Sequence, residues 1–483
     1  MEQPFSRNPS DVSRRAFLGT VGAGAAGVSL SASGLLGSAA FAATRTKQVP
    51  TVRGAFIYPP TAKLDKEGYY SWPGSTFDAE GRQKTYMAEL KAIARRLNMR
   101  IVMDEKPLAD EADIERFVNE MKASPPDGVL LVPFKKTDWQ THGIKMIDAI
   151  QLPTVVMATL GVLLIGSIRD LDDKPGVYLV SALDDFEAME RGLNMIRTAR
   201  WMKDAVIINL QGENTAEKVV PGIGTTVRNV PRLRFAEVFQ RIQPTQEVKA
   251  LAKAYYENAQ EVVEPSRDDV LDAAKTYFVL KQILEAEKGD AVMMECLPGL
   301  KLPHEHVPPC MGFMSLRDEG IAAGCESDLD ATLTLMLLQQ LFKKPGFQHN
   351  PFADTEKNHY LCAHCTSASK MHGLDAPAEP YVLRSHAEAG WGCVPRVLFS
   401  KGQQITIAKY LSGDAPQMLV YSGEILGCPP TPPAGGCRTN AETTLNEIED
   451  VSDLKGHHLC MAYGDYADQL RRFCQLYGVE AVA

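Results

Sequence analysis

Forty-nine residues, Gly324 to His372, hold most of the chain's candidate chemistry. Glu326 and Asp328 stand in Cys325-Glu326-Ser327-Asp328, which opens a helical pattern. Asp354 stands in a short polar turn, Asn350-Pro351-Phe352-Ala353-Asp354, and His364 stands in Cys362-Ala363-His364-Cys365 at a strand end. His457-His458 supplies a second source of imidazole much later. Carboxylates with neutral imidazole suit Mn²⁺, Mg²⁺ or a related divalent ion better than the thiolate-rich sets of structural zinc. Taken singly, each residue also has an ordinary reading. Ser327 or Asp328 can cap the helix with Glu326 a solvated neighbour, Asp354 can be a turn aspartate, and a lone histidine is more often structural than a ligand.

The elements that would position these groups read as α/β. Apolar runs at Gly54–Tyr58, Met99–Met103 and Gly128–Val132 alternate with helical patterns at Met87–Leu97 and Ile114–Met121, the rhythm of a doubly wound sheet. Runs such as Val129-Leu130-Leu131-Val132 lack alternation, as expected of strands covered on both faces. A further set, with strands from Pro153, Gly176 and Ala205 and a helix over Asp184–Met202, is either a second unit or a continuation of the first. Ser266 and Asp269 form a capping signal for a helix over Asp268–Ala286. The strand Ala291–Glu295 follows it, and a helix over Leu329–Phe342 has one apolar stripe, Leu333, Met336, Leu337 and Leu341. Beyond Gly390 the texture changes to alternation, in Gln404–Tyr410 and Gln417–Glu424, which predicts a small antiparallel β unit. The expected organisation is two Rossmann-like α/β units over 44–150 and 151–290, then a metal-bearing domain with a β unit over 291–483.

Residues 1–43 read as a twin-arginine export signal: Ser13-Arg14-Arg15-Ala16-Phe17-Leu18 precedes a weakly apolar run ending at Ala40-Phe41-Ala42. This implies the twin-arginine translocase as a transient partner and a periplasmic or secreted location. Removing it takes away three arginines and two acids, so the formal charge goes from −9 to −10. An acidic chain of this kind does not invite nucleic acid. The ten cysteines show no repeated spacing. Cys428 and Cys437, flanking a Pro/Gly loop, are the best local disulfide candidates, and Cys362-x-x-Cys365 lacks a second CxxC to make a zinc site. His304-Glu305-His306 and Gly222-Ile223-Gly224 are weak metal and phosphate signals, the latter without the strand–helix spacing such loops need.

Gly324-Cys325-Glu326-Ser327-Asp328-Leu329, Thr332-Leu333-Thr334-Leu335, Pro351-Phe352-Ala353-Asp354, His364-Cys365 and Gly456-His457-His458-Leu459-Cys460-Met461-Ala462-Tyr463-Gly464-Asp465 together resemble the C-terminal half of the L-fucose/L-arabinose isomerase superfamily, from about Ala291 onward. The resemblance implies a divalent ion, usually Mn²⁺, on Glu326, Asp354 and His458, with His364 a fourth ligand or a supporting residue. It implies aldose–ketose exchange through an enediol on a carbohydrate substrate, with Glu326 and Asp354 as the acid/base pair. Arg317, Gln348, His386 and Trp391 are candidate substrate contacts, and a homo-oligomer is expected. An export signal departs from the family's usual compartment. A glycoside hydrolase using Glu326 with Asp354 or Glu388, and a periplasmic sugar-binding protein, therefore stand as alternatives.

Overall fold

A computed structural model describes residues 47–67, 78–160, 162–301, 304–430 and 436–483; the expected export signal lies outside them. Strands β1 (Thr51–Ile57), β2 (Arg100–Met103), β3 (Gly128–Pro133), β4 (Thr154–Thr159) and β5 (Val177–Ala182) form a parallel sheet ordered β2-β1-β3-β4-β5. Both faces of β3 and β4 are buried, as their unbroken apolar runs require. Because β4 and β5 hydrogen-bond onward from β3, the division expected at residue 150 falls inside one sheet.

The second sheet contains β6 (Val206–Leu210), β7 (Ala216–Val219) and β8 (Thr226–Val230). A two-residue strand, β9 (Glu261–Val262), intervenes before β10 (Ala291–Met294) and β11 (Ala323–Cys325) complete it. Its order is β11-β10-β6-β8-β7, parallel except for β7. Gly222 and Gly224, both left-handed, serve the turn between β7 and β8 rather than a strand–helix phosphate loop. The helix Arg267–Glu287 between β9 and β10 begins with the expected capping box, Ser266 and Asp269 each bonding the other's backbone N–H.

Antiparallel structure starts earlier than the texture of the sequence suggested. Strands β12 (Phe347–Asp354) and β13 (His359–His364) form a hairpin. A short pair, β14 (Tyr381–Arg384) and β15 (Val394–Val397), joins β9. Then β16 (Gln404–Leu411), β17 (Gln417–Gly427), β18 (Thr439–Leu445) and β19 (Leu459–Tyr463) complete a closed ring, β16-β19-β12-β13-β18-β17-β16, with β20 (Glu480–Val482) outside on β17. Closure removes exposed edges, and alternation sorts the barrel's faces. Ile405, Ile407, Leu419, Tyr421, Leu459 and Met461 pack in one core, while Ala408, Tyr410, Met418, Val420, Cys460 and Ala462 pack in another with the helix Leu329–Phe342.

That helix is buried continuously from Ala331 to Leu338 instead of along one stripe. It lies among the second sheet, the barrel and the helix Phe186–Asp204, so every side meets protein. Thr332 and Thr334 are tolerated inside because their hydroxyls donate to the carbonyls of Asp328 and Asp330. Among the described residues no helix is long and apolar enough to cross a membrane.

Candidate metal centre

Glu326 follows the carboxyl end of β11, where open α/β sheets present their ligand-binding residues. The chain turns there through two successive left-handed residues, Glu326 (φ +57°) and Ser327 (φ +53°), before Asp328 caps the helix Leu329–Phe342. Ser327 N–H donates to Met294 O, Asp328 N–H to Cys325 O, and the Ser327 hydroxyl to Asn209 Oδ1 at 2.7 Å. His458, entering β19, is left-handed as well (φ +52°). Each such residue costs about 1–2 kcal/mol, and backbone strain of this kind concentrates at functional sites.

Two barrel strands bring imidazoles to Glu326. His364, at the end of β13, places Nε2 3.5 Å from Glu326 Oε1, and His458 places Nε2 3.5 Å from Glu326 Oε2. The two histidines are 1% and 3% exposed. Both nitrogens of His364 and Nε2 of His458 are buried without a hydrogen-bond partner. Orphaned buried donors and acceptors are rare in folded proteins, and two of these three, His364 Nε2 and His458 Nε2, face the Glu326 carboxylate. The donor atoms of Glu326, His364 and His458 all lie within 4.8 Å of one another. The 3.5 Å separations are close to the ~3.4 Å expected of two ligands ~2.1 Å from one tetrahedral ion. Two imidazoles and one carboxylate with room for further ligands suit a catalytic divalent metal. The residues present therefore fit such an ion.

His364 holds the Glu326 carboxyl below the usual carboxylate range against the opposing effect of burial. Burial resists charge on His364, but Cys325 and Glu326 favour it and raise its pKa to about 10. A proton on His364 and a divalent cation are thus alternative ways of meeting the same acceptors.

Arg317 and Gln348, expected as substrate contacts, hold the backbone that presents Glu326. Arg317 is buried and donates to the carbonyls of Ala323 and Thr366. Gln348 brackets Cys325, accepting its N–H at 2.8 Å and donating to its carbonyl at 3.2 Å. His386 is 1% exposed, its pKa pushed down to about 4 by burial and further by the neighbouring His364. Its Nδ1 accepts from Ala389 N–H, which leaves Nε2 as the donor. Trp391 packs against the ring of His304 at 4.3 Å, with its indole N–H buried and unpartnered.

Asp354 is not brought to this group. It ends β12 opposite His359, while His364 lies five residues further along β13, about 17 Å away at strand spacing. There it makes a surface ion pair with Lys357 at 3.3 Å and caps the following turn through Lys357 N–H. The hairpin separates the two expected residues because its turn falls between them.

Nor do the histidines of His304-Glu305-His306 converge. His306 packs against Phe235 while His304 turns to Trp391. Cys428 and Cys437 are free thiols. Cys428 Sγ sits at Phe399 N–H, and Cys437 lies 3.7 Å from Cys365 instead. A cleft of about 290 Å³ between the helix Phe186–Asp204 and Tyr410, Phe473 and Tyr477 includes none of the three candidate ligands.

Lys409, which no sequence motif marks, joins the same cluster. Its Nζ lies 2.9 Å from Asp328 Oδ2 and also donates to His457 O, and the residue is 6% exposed. The signal lies in the alternation instead: Lys409 shares a strand face with Ile405 and Ile407, and a lysine on an apolar face needs a buried partner.

Fold and site together define an α/β protein with a β barrel whose strands complete a carboxylate–imidazole centre at a parallel-sheet edge. At 20% identity over 439 residues, covering 82% of this chain and 96% of theirs, it is similar to the sulfoquinovose isomerases of Priestia aryabhattai and Priestia megaterium. No family model matches the chain.

Proposed function

We propose that the protein is a divalent-metal-dependent sugar isomerase that interconverts a free aldose and its ketose. The observation that carries this reading is the convergence of Glu326, His364 and His458 with orphaned imidazole nitrogens at a sheet edge. Similarity to enzymes named as isomerases of a sugar supports it. Glu326, His364 and His458 would hold the ion, with Mn²⁺ the first choice. When bound, such an ion polarises an open-chain sugar's carbonyl and adjacent hydroxyl and acidifies the C–H between them.

Glu326, ionised at neutral pH, is the group to take the proton from one carbon and return it to the next, while the proton of the adjacent hydroxyl passes to the former carbonyl oxygen. Asp354 has no part in this step. His386, neutral at pH 7, offers Nε2–H to a sugar hydroxyl, and the Trp391 indole N–H offers a second donor. The glycoside hydrolase alternative, Glu326 with Asp354 or Glu388, has no support: the relatives are named isomerases, and Asp354 lies at the far end of the β12–β13 ladder from His364.

Purified protein, treated with chelator and then resupplied with Mn²⁺, Mg²⁺ or Zn²⁺, tests the reading against a panel of free aldoses and ketoses that includes sulfoquinovose. Interconversion that disappears with chelator and returns with metal is expected. Full activity after rigorous metal removal, or none on any sugar, would overturn it. The reading extends to export through the N-terminal twin-arginine segment, tested by cell fractionation with Arg14→Lys and Arg15→Lys, and to a homo-oligomer, tested by light scattering.

A further inference from the structure

Asp328 is built to receive three donors at once. Oδ1 accepts Ala331 N–H at 2.8 Å and caps the helix Leu329–Phe342. Oδ2 meets both Lys409 Nζ at 2.9 Å and His458 Nδ1 at 3.0 Å. Lys409 reaches it from inside the barrel wall, where a second bond to His457 O fixes the ammonium. With Oδ2 already taking a charged donor and no proton of its own, His458 Nδ1 has to be the donor in their contact. Its proton therefore sits on Nδ1, and the lone pair sits on Nε2, aimed at Glu326.

We infer that Asp328 and Lys409 are positioning residues that lock His458 in the Nδ1–H tautomer, so that only Nε2 is free to bind the metal. This inference rests on the metal reading above but concerns different atoms. Lys409 has the further task of keeping Asp328 on His458, since an unpaired carboxylate beside a divalent cation would swing toward it.

The two-oxygen geometry explains why an amide cannot substitute. An asparagine with its oxygen at the Oδ1 position turns its NH₂ toward both the Lys409 ammonium and His458 Nδ1. It then repels the lysine and selects the opposite tautomer, with Nε2 protonated and unable to ligate. With its oxygen at the Oδ2 position, the NH₂ faces Ala331 N–H and the helix cap is lost. Neither orientation satisfies all three donors.

Asp328→Ser separates the cap from the lock, because serine still accepts Ala331 N–H but cannot reach His458. Asp328→Asn and Lys409→Met complete the set. The readouts are Mn²⁺ affinity, by competition with a coloured chelator, and the melting temperature of the metal-stripped protein. Losing a carboxylate that orients a ligating histidine weakens binding about 10- to 100-fold. That loss is expected in Asp328→Ser and Asp328→Asn; stripped Asp328→Ser is expected to melt below wild type, because Lys409 loses its carboxylate partner, but still in one cooperative transition. Lys409→Met is expected to change Mn²⁺ affinity in step with them. Wild-type affinity in Asp328→Ser would overturn the tautomer lock and leave the metal reading standing. Failure of the unaltered protein to bind any of Mn²⁺, Mg²⁺ or Zn²⁺ would instead sink the metal reading and this inference with it.

Discussion

Glu326→Gln removes the only formal negative charge among the three converging donors. A carboxylate ~2.1 Å from a divalent ion is worth about 4 kcal/mol even at the dielectric of water, part of which dehydration offsets. A loss of about 2.7 kcal/mol, a factor of 100 in affinity, is then a moderate expectation. The consequence is read as stability. Metal at 100 times its Kd stabilises the native state by about 2.7 kcal/mol. For the compact unit Ala42–Ala483, an unfolding entropy of about 2.1 cal/mol/K per residue converts that to a rise of about 3 °C in Tm. In Glu326→Gln the same metal concentration sits near Kd, where the gain is about 0.4 kcal/mol and the rise under 1 °C. Differential scanning calorimetry of stripped protein, with and without Mn²⁺, measures both. An equal rise in wild type and Glu326→Gln would refute the placement of the ion on Glu326.

Asp354→Asn should leave metal affinity and isomerase rate unchanged, because the residue pairs with Lys357 at the far end of the β12–β13 ladder from His364; a loss of either would return Asp354 to the site. Ser327→Gly should denature within about 1 kcal/mol of wild type, since relief of left-handed strain offsets the lost bond to Asn209, whereas the β-branched Ser327→Val should be clearly less stable. With the His364 pKa at about 10, metal must displace a proton at neutral pH, so affinity should rise from pH 6 to pH 9 and calorimetry in buffers of different ionisation enthalpy should show proton release. In His364→Ala that release should fall by about one proton. Mild oxidation followed by peptide mapping should link Cys365 to Cys437, 3.7 Å apart, and leave Cys428 alkylatable; a Cys428–Cys437 peptide would contradict the barrel's strand ends.

Elements with strong local signals were legible from the residues. The helix Leu329–Phe342 and strands β3, β6, β10, β16 and β17 fall within a few residues of where periodicity puts them. Barrel closure was not legible, because it depends on β16 finding both β17 and β19, a long-range pairing that alternation cannot specify. The site divides along the same line. Glu326 sits where a helix start puts it, a local fact, but which histidines or acids reach it is decided by hairpin registers. In β12–β13 the pairing of Asp354 with His359 carries the acid to the far end of the ladder and leaves His364 at the near end.

The same logic explains why Arg317 and Gln348 looked like substrate groups. Both are polar residues near the candidate ligands in sequence and in space. A left-handed turn at Glu326 and Ser327 must be held from outside, however, and only long polar side chains can reach the backbone of Ala323 and Cys325 to do it. Their burial follows from that task. A turn strained at two successive residues needs such braces. The substrate contacts we propose are Trp391, whose buried indole N–H is unpartnered, and His386, whose Nδ1 accepts from Ala389 N–H and leaves Nε2 as the donor. Removing a brace should therefore disturb metal affinity and turnover together, whereas removing a proposed substrate contact should raise KM with metal affinity intact. Gln348→Leu against Trp391→Phe, compared by Mn²⁺ titration and steady-state kinetics, separates the two classes; matching profiles would mean that the turn at Glu326 holds itself.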